Sequence, residues 1–387
     1  MIRLFNAVMQ VFRSIDWPVM LLLALLSVVG LLVMHSAVGG TDWRYADQSR
    51  YMVYALIVMW IVALIPSQFL ARLAPLAYLI TLALLVAVAL FGESSKGAAR
   101  WLDIGILRLQ PSEIMKITLP MMLAWYFQRR EGKVGWYDFM VAMVMTLIPF
   151  ALIALQPDLG TALLVVASGF FVMYFAGLSF KLLIPLVLAA TIGLSVIYIN
   201  QDVLCEPETD WIVLHSYQKS RVCTLLDPTR DPLGRGFHTI QSTIAVGSGG
   251  LLGRGYMSGT QGQLSFIPER TTDFIFAVFA EEFGLFGALS LLFLYLLLIM
   301  RGLFIASRAT TTYGRLLAGS ISMTVFIYVF VNTGMVIGLL PVVGVPLPLF
   351  SYGGSALLSL AVAFGLLMGI SAKRKQQQKA VKTAVRP

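Results

Sequence analysis

The charged residues best suited to chemistry lie close together near residue 110. Glu113 and Lys116 follow Pro111, which favours the first turn of a helix, and their spacing places both on one helical face. The amino-terminal end of a helix favours anionic ligands. Together with Arg100 and Arg108, Lys116 could therefore hold a pyrophosphate. An interfacial Glu113–Lys116 pair flanked by snorkelling arginines explains the same residues, and both interpretations stay open.

A second candidate is Asp273, which lies where a polar loop meets an apolar run. A carboxylate half buried at such a boundary can act as a general base. Aspartate is also a favoured helix N-cap, and one residue can do both. Glu281 and Glu282 lie inside the apolar run, about two turns further on, where a charge needs a partner. Arg or Lys from the apolar run 113–127, which includes Lys116, could be those partners.

Two irregular segments accompany Asp273. The run 234–261 combines many glycines with small polar residues, which suggests a backbone that approaches a ligand closely, although its spacing is not that of a P-loop. The segment 332–355 contains three prolines and is predicted to be either the wall of a cavity or a simple outer loop. The side chains expected to support a cavity are Gln241, Glu269, Glu281, Glu282, Ser351 and Tyr352.

Other patterns favour structure over chemistry. In the turn 156–161, Asp158 is predicted to cap the helix that follows. The three histidines, His35, His215 and His238, have no metal-binding spacing, and His35 is predicted to pack in an apolar helix. The sequence shows no basic face on a soluble module, so we expect no nucleic-acid partner.

The composition predicts the elements that must position these residues. Of 387 residues, 58% are hydrophobic and only 12% are charged, with a mean hydropathy of +0.84. A soluble chain would carry about 25% charged residues. Long continuous apolar runs exclude a β-barrel and predict a single all-α polytopic membrane domain over 1–387. The ten predicted spans are 17–37, 51–65, 73–91, 113–127, 139–155, 160–177, 180–200, 274–300, 316–339 and 353–371.

The distribution of charge predicts an orientation. With both termini inside, the inner segments carry 16 Lys and Arg against three acids, a net charge of +13. The rest of the chain carries 12 Lys and Arg against 16 acids, a net charge of −4. The positive-inside rule therefore places both termini, including the basic tail 372–387, in the cytoplasm.

The longest connection, residues 201–273, is then an extracytoplasmic loop, and its aromatic residues predict that it is ordered. It contains both cysteines of the chain, Cys205 and Cys223. Because the outer side is oxidising, a Cys205–Cys223 disulfide is the default expectation, with two free thiols as the alternative.

These motifs resemble the SEDS family, named for shape, elongation, division and sporulation. The matching segments, in the family's order along the chain, are 97–101, 110–116, 156–161, 247–261, 268–277, 281–282 and 332–355. Segments 344–348 and 351–355 are more similar to the RodA branch, which acts in elongation, than to the FtsW branch, which acts in division.

The resemblance implies a peptidoglycan glycosyltransferase that polymerises lipid II on the outer face of the bacterial inner membrane. By match to the family motif, Asp273 would be the essential carboxylate, and Arg108, Glu113 and Lys116 match its other functional positions. The family also implies a class B penicillin-binding protein as transpeptidase partner, and a divalent cation (Mg or Mn) is an open expectation. Many relatives carry histidine where this chain has Thr271, which places more of the base role on Asp273.

Two other functions compete with the transferase. A lipid II flippase or transporter would also use many spans and buried charges, but it should carry polar residues through the membrane midplane and on the inner side. A non-catalytic scaffold for a penicillin-binding protein would need neither Asp273 nor Lys116.

Overall fold

The computed structural model describes residues 16–40, 42–95, 98–103, 108–179, 183–206, 216–230, 235–259 and 269–384. Within them the chain is mostly helical, as predicted. Ten long helices fall at the predicted apolar runs: α1 (Trp17–Val38), α2 (Trp43–Leu64), α3 (Ser67–Phe91), α4 (Pro111–Arg129), α5 (Trp136–Leu155), α6 (Leu159–Phe175), α7 (Leu183–Ile199), α11 (Ile275–Ser307), α12 (Thr312–Val336) and α13 (Gly354–Ala384).

Shorter elements occupy two of the connections. An antiparallel sheet of β1 (Glu93–Ser95), β2 (Ala98–Asp103) and β3 (Arg108–Leu109) leads directly into α4. In the long connection before α11, the described helices are α8 (Gln201–Leu204), α9 (Ser216–Leu226) and α10 (Arg235–Ser248), with one 3-10 turn at Pro228–Arg230. Cys205 and Cys223 form a disulfide that joins the end of α8 to α9.

Length and apolar composition mark a membrane protein. Six of the described helices are long and apolar enough to cross a bilayer: α1, α3, α5, α11, α12 and the 354–374 part of α13. Helix α6 is apolar but shorter. In α12 and α13, about two thirds of the residues in the most apolar stretch are buried within the protein. In α1, α3, α5 and α11, only about a third of those residues are buried. We infer that α12 and α13 lie nearer the protein interior, whereas the other four expose a broad apolar face.

Several helix boundaries differ from the predicted spans. α2 begins eight residues before its predicted start, at Trp43, whose backbone N–H donates to the Asp42 carboxylate at 2.6 Å. α11 continues past residue 300 to Ser307, and α13 extends through most of the basic tail to Ala384. Hydropathy sets the apolar part of a span, whereas local caps and polar helical extensions set its ends.

Asp16, at the start of α1, is completely buried and links three helices. It caps α1 by accepting from the backbone of Val19 at 3.4 Å. Its two oxygens accept from Arg301 of α11 at 3.0 and 2.9 Å, and Ser371 of α13 donates to it at 2.7 Å. The charge of Asp16 is thus paired where α1, α11 and α13 meet.

The connection between α12 and α13, residues 337–353, is irregular and packs into the helix bundle. Its residues Val345, Leu347 and Phe350 are buried, and the Tyr295 hydroxyl of α11 donates to Pro348 O at 2.5 Å. We call this stretch the 337–353 segment. Its burial favours the interpretation that it forms an internal wall over that of a simple outer loop.

Glycines in the helices make room for this segment. A β-carbon on Gly30 of α1 would lie 2.5 Å from Leu349 O, and one on Gly160 of α6 would lie 2.4 Å from Val343 O. Since real β-carbons do not approach a backbone oxygen so closely, any larger residue would push the segment outward.

Candidate functional site

Asp273 lies in a turn, residues 269–274, that enters α11. The N-cap of α11 is Phe274, with no side-chain cap, so the prediction that Asp273 caps this helix is wrong. The Asp273 carboxylate is half buried, and its Oδ2 lies 3.6 Å from the position of a β-carbon on Gly344. The turn therefore places the Asp273 carboxylate beside the 337–353 segment.

The rest of the turn is tied together by Glu269. The Thr272 hydroxyl donates to Glu269 Oε2 at 2.9 Å, and the backbone N–H groups of Thr272 and Phe274 donate to Glu269 O at 3.1 and 3.2 Å. Glu269 therefore stabilises the turn by accepting hydrogen bonds from other residues of the turn.

Helix α10 lies against the same turn. The ring of His238 stacks on that of Phe274, with centroids 5.9 Å apart. Burial lowers the pKa of His238, and the nearby charge of Glu269 opposes that shift. Ser242 also ties α10 to the end of α12, since its hydroxyl donates to Val336 O at 2.9 Å. Gln241 is half buried on this helix.

Lys116 and Glu113 form a buried ion pair in α4. Lys116 Nζ donates to Glu113 Oε1 at 2.6 Å and also to the Tyr328 hydroxyl, and it lies 4.9 Å from the centre of the Tyr328 ring. Glu113 Oε2 accepts from Ser359 of α13 at 2.8 Å. The predicted proximity of Lys116 and Glu113 is confirmed, and both side chains are buried within the protein.

A small cavity adjoins this pair. Its volume is about 30 Å³, and Lys116, Tyr328 and Ser359 supply polar groups to a lining that is otherwise mainly apolar. A cavity of this size is large enough for one water molecule. The cation of Lys116 thus lies beside this cavity and next to Glu113, which compensates its charge.

Helix α12 brings the pair and the turn together. Tyr328, which contacts Lys116, and Asn332, whose amide donates to Asp273 O at 2.8 Å, are four residues apart on this helix. Residues with that spacing are neighbours on one helical face. The buried cation and the half-buried carboxylate are therefore linked through a single turn of α12.

Asp158 adjoins the same region. It caps α6 by accepting from the backbone of Thr161 at 3.4 Å, as predicted, and it accepts from Gln110 at 3.3 Å. The side chains of Arg100 and Arg108 lie outside the described part of the chain, although their backbones belong to β2 and β3. Where those two guanidinium groups lie stays a prediction.

The partners of Glu281 and Glu282 differ from those expected. Arg254 lies 3.9 Å from Glu281, and the Ser36 hydroxyl of α1 donates to Glu282. Neither partner belongs to α4, so the prediction of basic partners near Lys116 is wrong. Arg254 is far from α11 in sequence, and only the folded loop brings it close.

Two glycines of the glycine-rich run have a structural role. A β-carbon on Gly249 would lie 2.2 Å from Ala280 O, and one on Gly253 would lie 2.1 Å from Glu282 O. These two glycines let the loop approach the backbone of α11, and a ligand contact of the rest of the run stays a prediction.

Sequence reasoning missed three polar residues that the site uses, namely Tyr328, Asn332 and Ser359. All three lie within apolar helices. The signal was available, because a polar side chain within a membrane span is costly and usually has a partner or a function. What the sequence could not supply was the partner, since each contact joins separate helices.

The predicted divalent cation stays a prediction. Among the described residues, no group of three or more His, Cys, Asp or Glu side chains could hold a metal ion. A cation held by one or two carboxylates together with substrate phosphates, as Mg²⁺ often is, needs no such group.

Comparison with known proteins agrees with the fold and the motifs. A family model for FtsW, RodA and SpoVE, described as a cell cycle protein, matches residues 16–376. The peptidoglycan glycosyltransferase MrdB of Escherichia coli K12 is 49% identical over 95% of this chain and 96% of its own length.

Two solved structures share the fold. A chain from a peptidoglycan synthase complex that coordinates polymerization and crosslinking has a TM-score of 0.76 and 34% identity, covering 93% of this chain and 98% of that one. The Thermus thermophilus rod shape determining protein RodA has a TM-score of 0.69 and 28% identity, covering 93% and 97%. The predicted resemblance is confirmed, and the chain belongs to the family of FtsW, RodA and SpoVE.

Proposed function

We propose that this chain is a peptidoglycan glycosyltransferase of the RodA type that polymerises lipid II into glycan strands during cell elongation. The observation that carries the proposal is the half-buried Asp273 carboxylate, which α12 links to the buried Lys116–Glu113 pair. The 49% identity to a peptidoglycan glycosyltransferase over almost the whole chain supports the same activity.

In the proposed reaction, Asp273 is the general base. Its carboxylate takes the proton from the 4-hydroxyl of the acceptor N-acetylglucosamine as that oxygen attacks the anomeric carbon of the donor N-acetylmuramic acid. A new glycosidic C–O bond forms, the bond to the pyrophosphate breaks, and undecaprenyl pyrophosphate leaves. General base catalysis of this kind typically contributes about 10²–10⁴-fold in rate.

The leaving pyrophosphate needs positive charge. We assign that role to Arg100 and Arg108, which precede α4 in β2 and β3, with Lys116 behind them. Because Glu113 compensates the Lys116 charge, Lys116 becomes a direct ligand of the pyrophosphate only if Glu113 releases it. A divalent cation that assists the leaving pyrophosphate stays a prediction, and this reaction routes no step through one.

The proposed topology has ten spans with both termini in the cytoplasm. Three features support it: the ten long helices, the basic inner segments and the disulfide in the longest connection. The connection 201–273 then lies outside the inner membrane, where disulfides persist, and Asp273 at its end faces the periplasm.

The proposed partner is a class B penicillin-binding protein in an elongation complex, since a structural relative belongs to a complex that polymerises and crosslinks peptidoglycan. α11 and α12 are the predicted contact helices. The exposed apolar residues of α11, which include Phe286, Leu289 and Phe293, suit a transmembrane helix of the partner. A scaffold function alone would leave the buried Lys116–Glu113 pair without a purpose.

The decisive experiment compares glycan polymerisation from lipid II by the purified wild-type chain with that by Asp273→Asn and Asp273→Ala. We expect both variants to retain no more than about 1% of wild-type activity, because each removes the base. Asp202→Ala is the matched control, since Asp202 is an exposed carboxylate in the same long connection, and it should polymerise normally.

The outcomes also separate the competing functions. Normal polymer from Asp273→Ala would reject the base assignment. A wild-type chain that moves lipid II across proteoliposomes without making polymer would favour the transporter.

A further inference from the structure

Three consecutive backbone carbonyls of the turn before α11 are each held from outside the turn. The donors come from α12 and from the 337–353 segment. The bonds are Tyr352 N to Thr271 O at 2.7 Å, Ser351 Oγ to Thr272 O at 2.6 Å, and Asn332 Nδ2 to Asp273 O at 2.8 Å. The backbone that carries Asp273 is thus fixed by residues that are distant in sequence.

Asn332 holds two elements at once. Its amide nitrogen donates to Asp273 O and to Val345 O, both at 2.8 Å, and the residue is completely buried. Its Oδ1 has no hydrogen-bond partner among the described residues. Leaving a buried acceptor unpaired costs free energy, so a role in stability alone explains this residue poorly.

The Ser351 hydroxyl likewise makes two hydrogen bonds. Its hydroxyl donates to Thr272 O while accepting from the backbone N–H of Leu347 at 2.8 Å, which orients it. The segment itself is held by the Gly30 and Gly160 contacts with α1 and α6. The residues that hold the backbone of Asp273 are therefore themselves held by hydrogen bonds and by packing against α1 and α6.

Gly344 places bare backbone beside the carboxylate. A β-carbon there would lie 3.6 Å from Asp273 Oδ2, with no other heavy atom of the described residues within 4 Å. Its φ of +76° also favours glycine. A larger side chain would occupy space next to the carboxylate that an incoming hydroxyl group needs.

We propose that Asn332 and Ser351 are positioning residues for Asp273, and that Gly344 keeps one side of its carboxylate open to the acceptor hydroxyl. The proposal rests on the base role of Asp273 proposed above. Asn332 and Ser351 do not touch substrate; they act through the turn, and the 337–353 segment is the fixed surface against which Asp273 is aligned.

The first test measures kcat and KM for lipid II in Asn332→Ala and Ser351→Ala. Misplacement of a reacting group by 1 Å can cost about 100-fold, so kcat should fall by about that factor while KM changes by less than about twofold. Ser351→Thr keeps a hydroxyl and should restore much of the loss. Thr333→Ala is the matched control, because its hydroxyl donates only to carbonyls of its own helix, Val329 O and Phe330 O.

A second pair of variants distinguishes a loss of activity from a loss of folding. Gly344 and Gly338 have the same φ of +76° in the same segment, so alanine strains both backbones alike. A β-carbon on Gly338 would meet Thr243 at 3.3 Å and is not near Asp273. Gly344→Ala should therefore lose kcat strongly, whereas Gly338→Ala should keep it at a comparable melting temperature.

The outcomes separate this proposal from the proposed function. Asp273→Asn is assayed in parallel. If Asp273→Asn is inactive while Asn332→Ala and Ser351→Ala keep wild-type kcat, the positioning role is wrong and the base role stands. Equal losses in Gly344→Ala and Gly338→Ala would overturn the open-face role. Activity in Asp273→Asn would overturn the proposed base itself.

Discussion

Lys116 and Glu113 form an ion pair that is buried within the helix bundle. Glu113 accepts from Lys116 and from Ser359, and Tyr328 contacts the Lys116 ammonium with both its hydroxyl and its ring. Loss of activity after mutating either charged residue therefore has two possible origins: the missing group itself, or the lone charge that stays behind in the interior.

A double variant separates these origins. Removing one partner of a buried pair typically costs about 3–5 kcal/mol, whereas removing both can be nearly neutral. We expect Glu113→Gln to lower the melting temperature of the detergent-solubilised chain, and Glu113→Gln with Lys116→Met to recover most of it. If the charges also serve the reaction, the double variant should stay inactive despite its stability.

The control for this experiment is the exposed pair Arg50–Asp47, which lies at 3.1 Å on α2. Surface pairs contribute about 0–1 kcal/mol, so Asp47→Asn should change the melting temperature little. A Glu113→Gln variant as stable as Asp47→Asn would contradict the assigned burial of the ion pair.

The sequence predicted local structure better than it predicted contacts between residues that are distant along the chain. Helical spacing was enough to pair Glu113 with Lys116, and the turn pattern was enough to assign Asp158 as a cap. It failed for Glu281 and Glu282, because Arg254 and Ser36 reach them through folds of the chain that no local pattern records. Asn332 begins the segment 332–355, yet nothing in the local sequence indicates that its amide holds the backbone of Asp273.

At the scale of elements, the most informative feature is a break in α11. Gly284 has a φ of +65° and a ψ of −165°, which interrupts the helix just after Glu281 and Glu282. The loop 249–259 satisfies the interrupted backbone. Leu285 and Phe286 donate to the carbonyls of Gly250 and Leu251, while Arg254 and Gly255 donate to those of Glu281 and Glu282.

This arrangement predicts unequal effects for two glycines of the loop. Gly253 and Gly255 have φ values of +81° and +99°, so alanine strains the backbone at both. Only at Gly253 does the β-carbon collide with helix backbone, at 2.1 Å from Glu282 O, whereas at Gly255 the nearest atom is Ser258 Oγ at 3.7 Å.

Gly253→Ala should therefore lower the melting temperature well beyond Gly255→Ala, by the additional cost of overpacking, which is typically about 1–3 kcal/mol. The comparison is made by thermal unfolding in detergent. Equal shifts for the two variants would mean that strain in the loop, and not contact with α11, explains the glycines.

Apolar runs predicted the long helices well, since burial in lipid requires sustained hydropathy. They did not predict the break, because an isolated glycine such as Gly284 is tolerated inside a helix. The hydrogen bonds that permit the break come from a loop whose glycine content was interpreted as ligand binding. A helix break with external partners is a tertiary property and has no signature within the helix itself.

At the scale of the whole molecule, the proposed orientation can be measured directly. The two cysteines of the chain are joined in a disulfide, so the wild type offers no free thiol to label. Lys133 is exposed in the connection between α4 and α5, and Leu252 is 80% exposed in the glycine-rich loop. The proposed topology places these two positions on opposite sides of the membrane.

A membrane-impermeant maleimide applied to intact cells should label Leu252→Cys and leave Lys133→Cys unlabelled. Permeabilised cells provide the control, in which both variants should react. Labelling of Lys133→Cys alone in intact cells would reverse the topology and would place Asp273 in the cytoplasm, away from the proposed site of polymerisation.

The break at Gly284 has a mechanical consequence for a protein that spans a membrane. The part of α11 beyond it, residues 285–307, is about 35 Å long at 1.5 Å per residue, which exceeds the roughly 30 Å hydrocarbon core. A helix longer than the core responds to a thinner or thicker bilayer by tilting. Because the loop 249–259 is bonded to α11 on both sides of the break, a tilt of the long part also pulls on residues 275–283. The turn that carries Asp273 is thus coupled to the thickness of the bilayer.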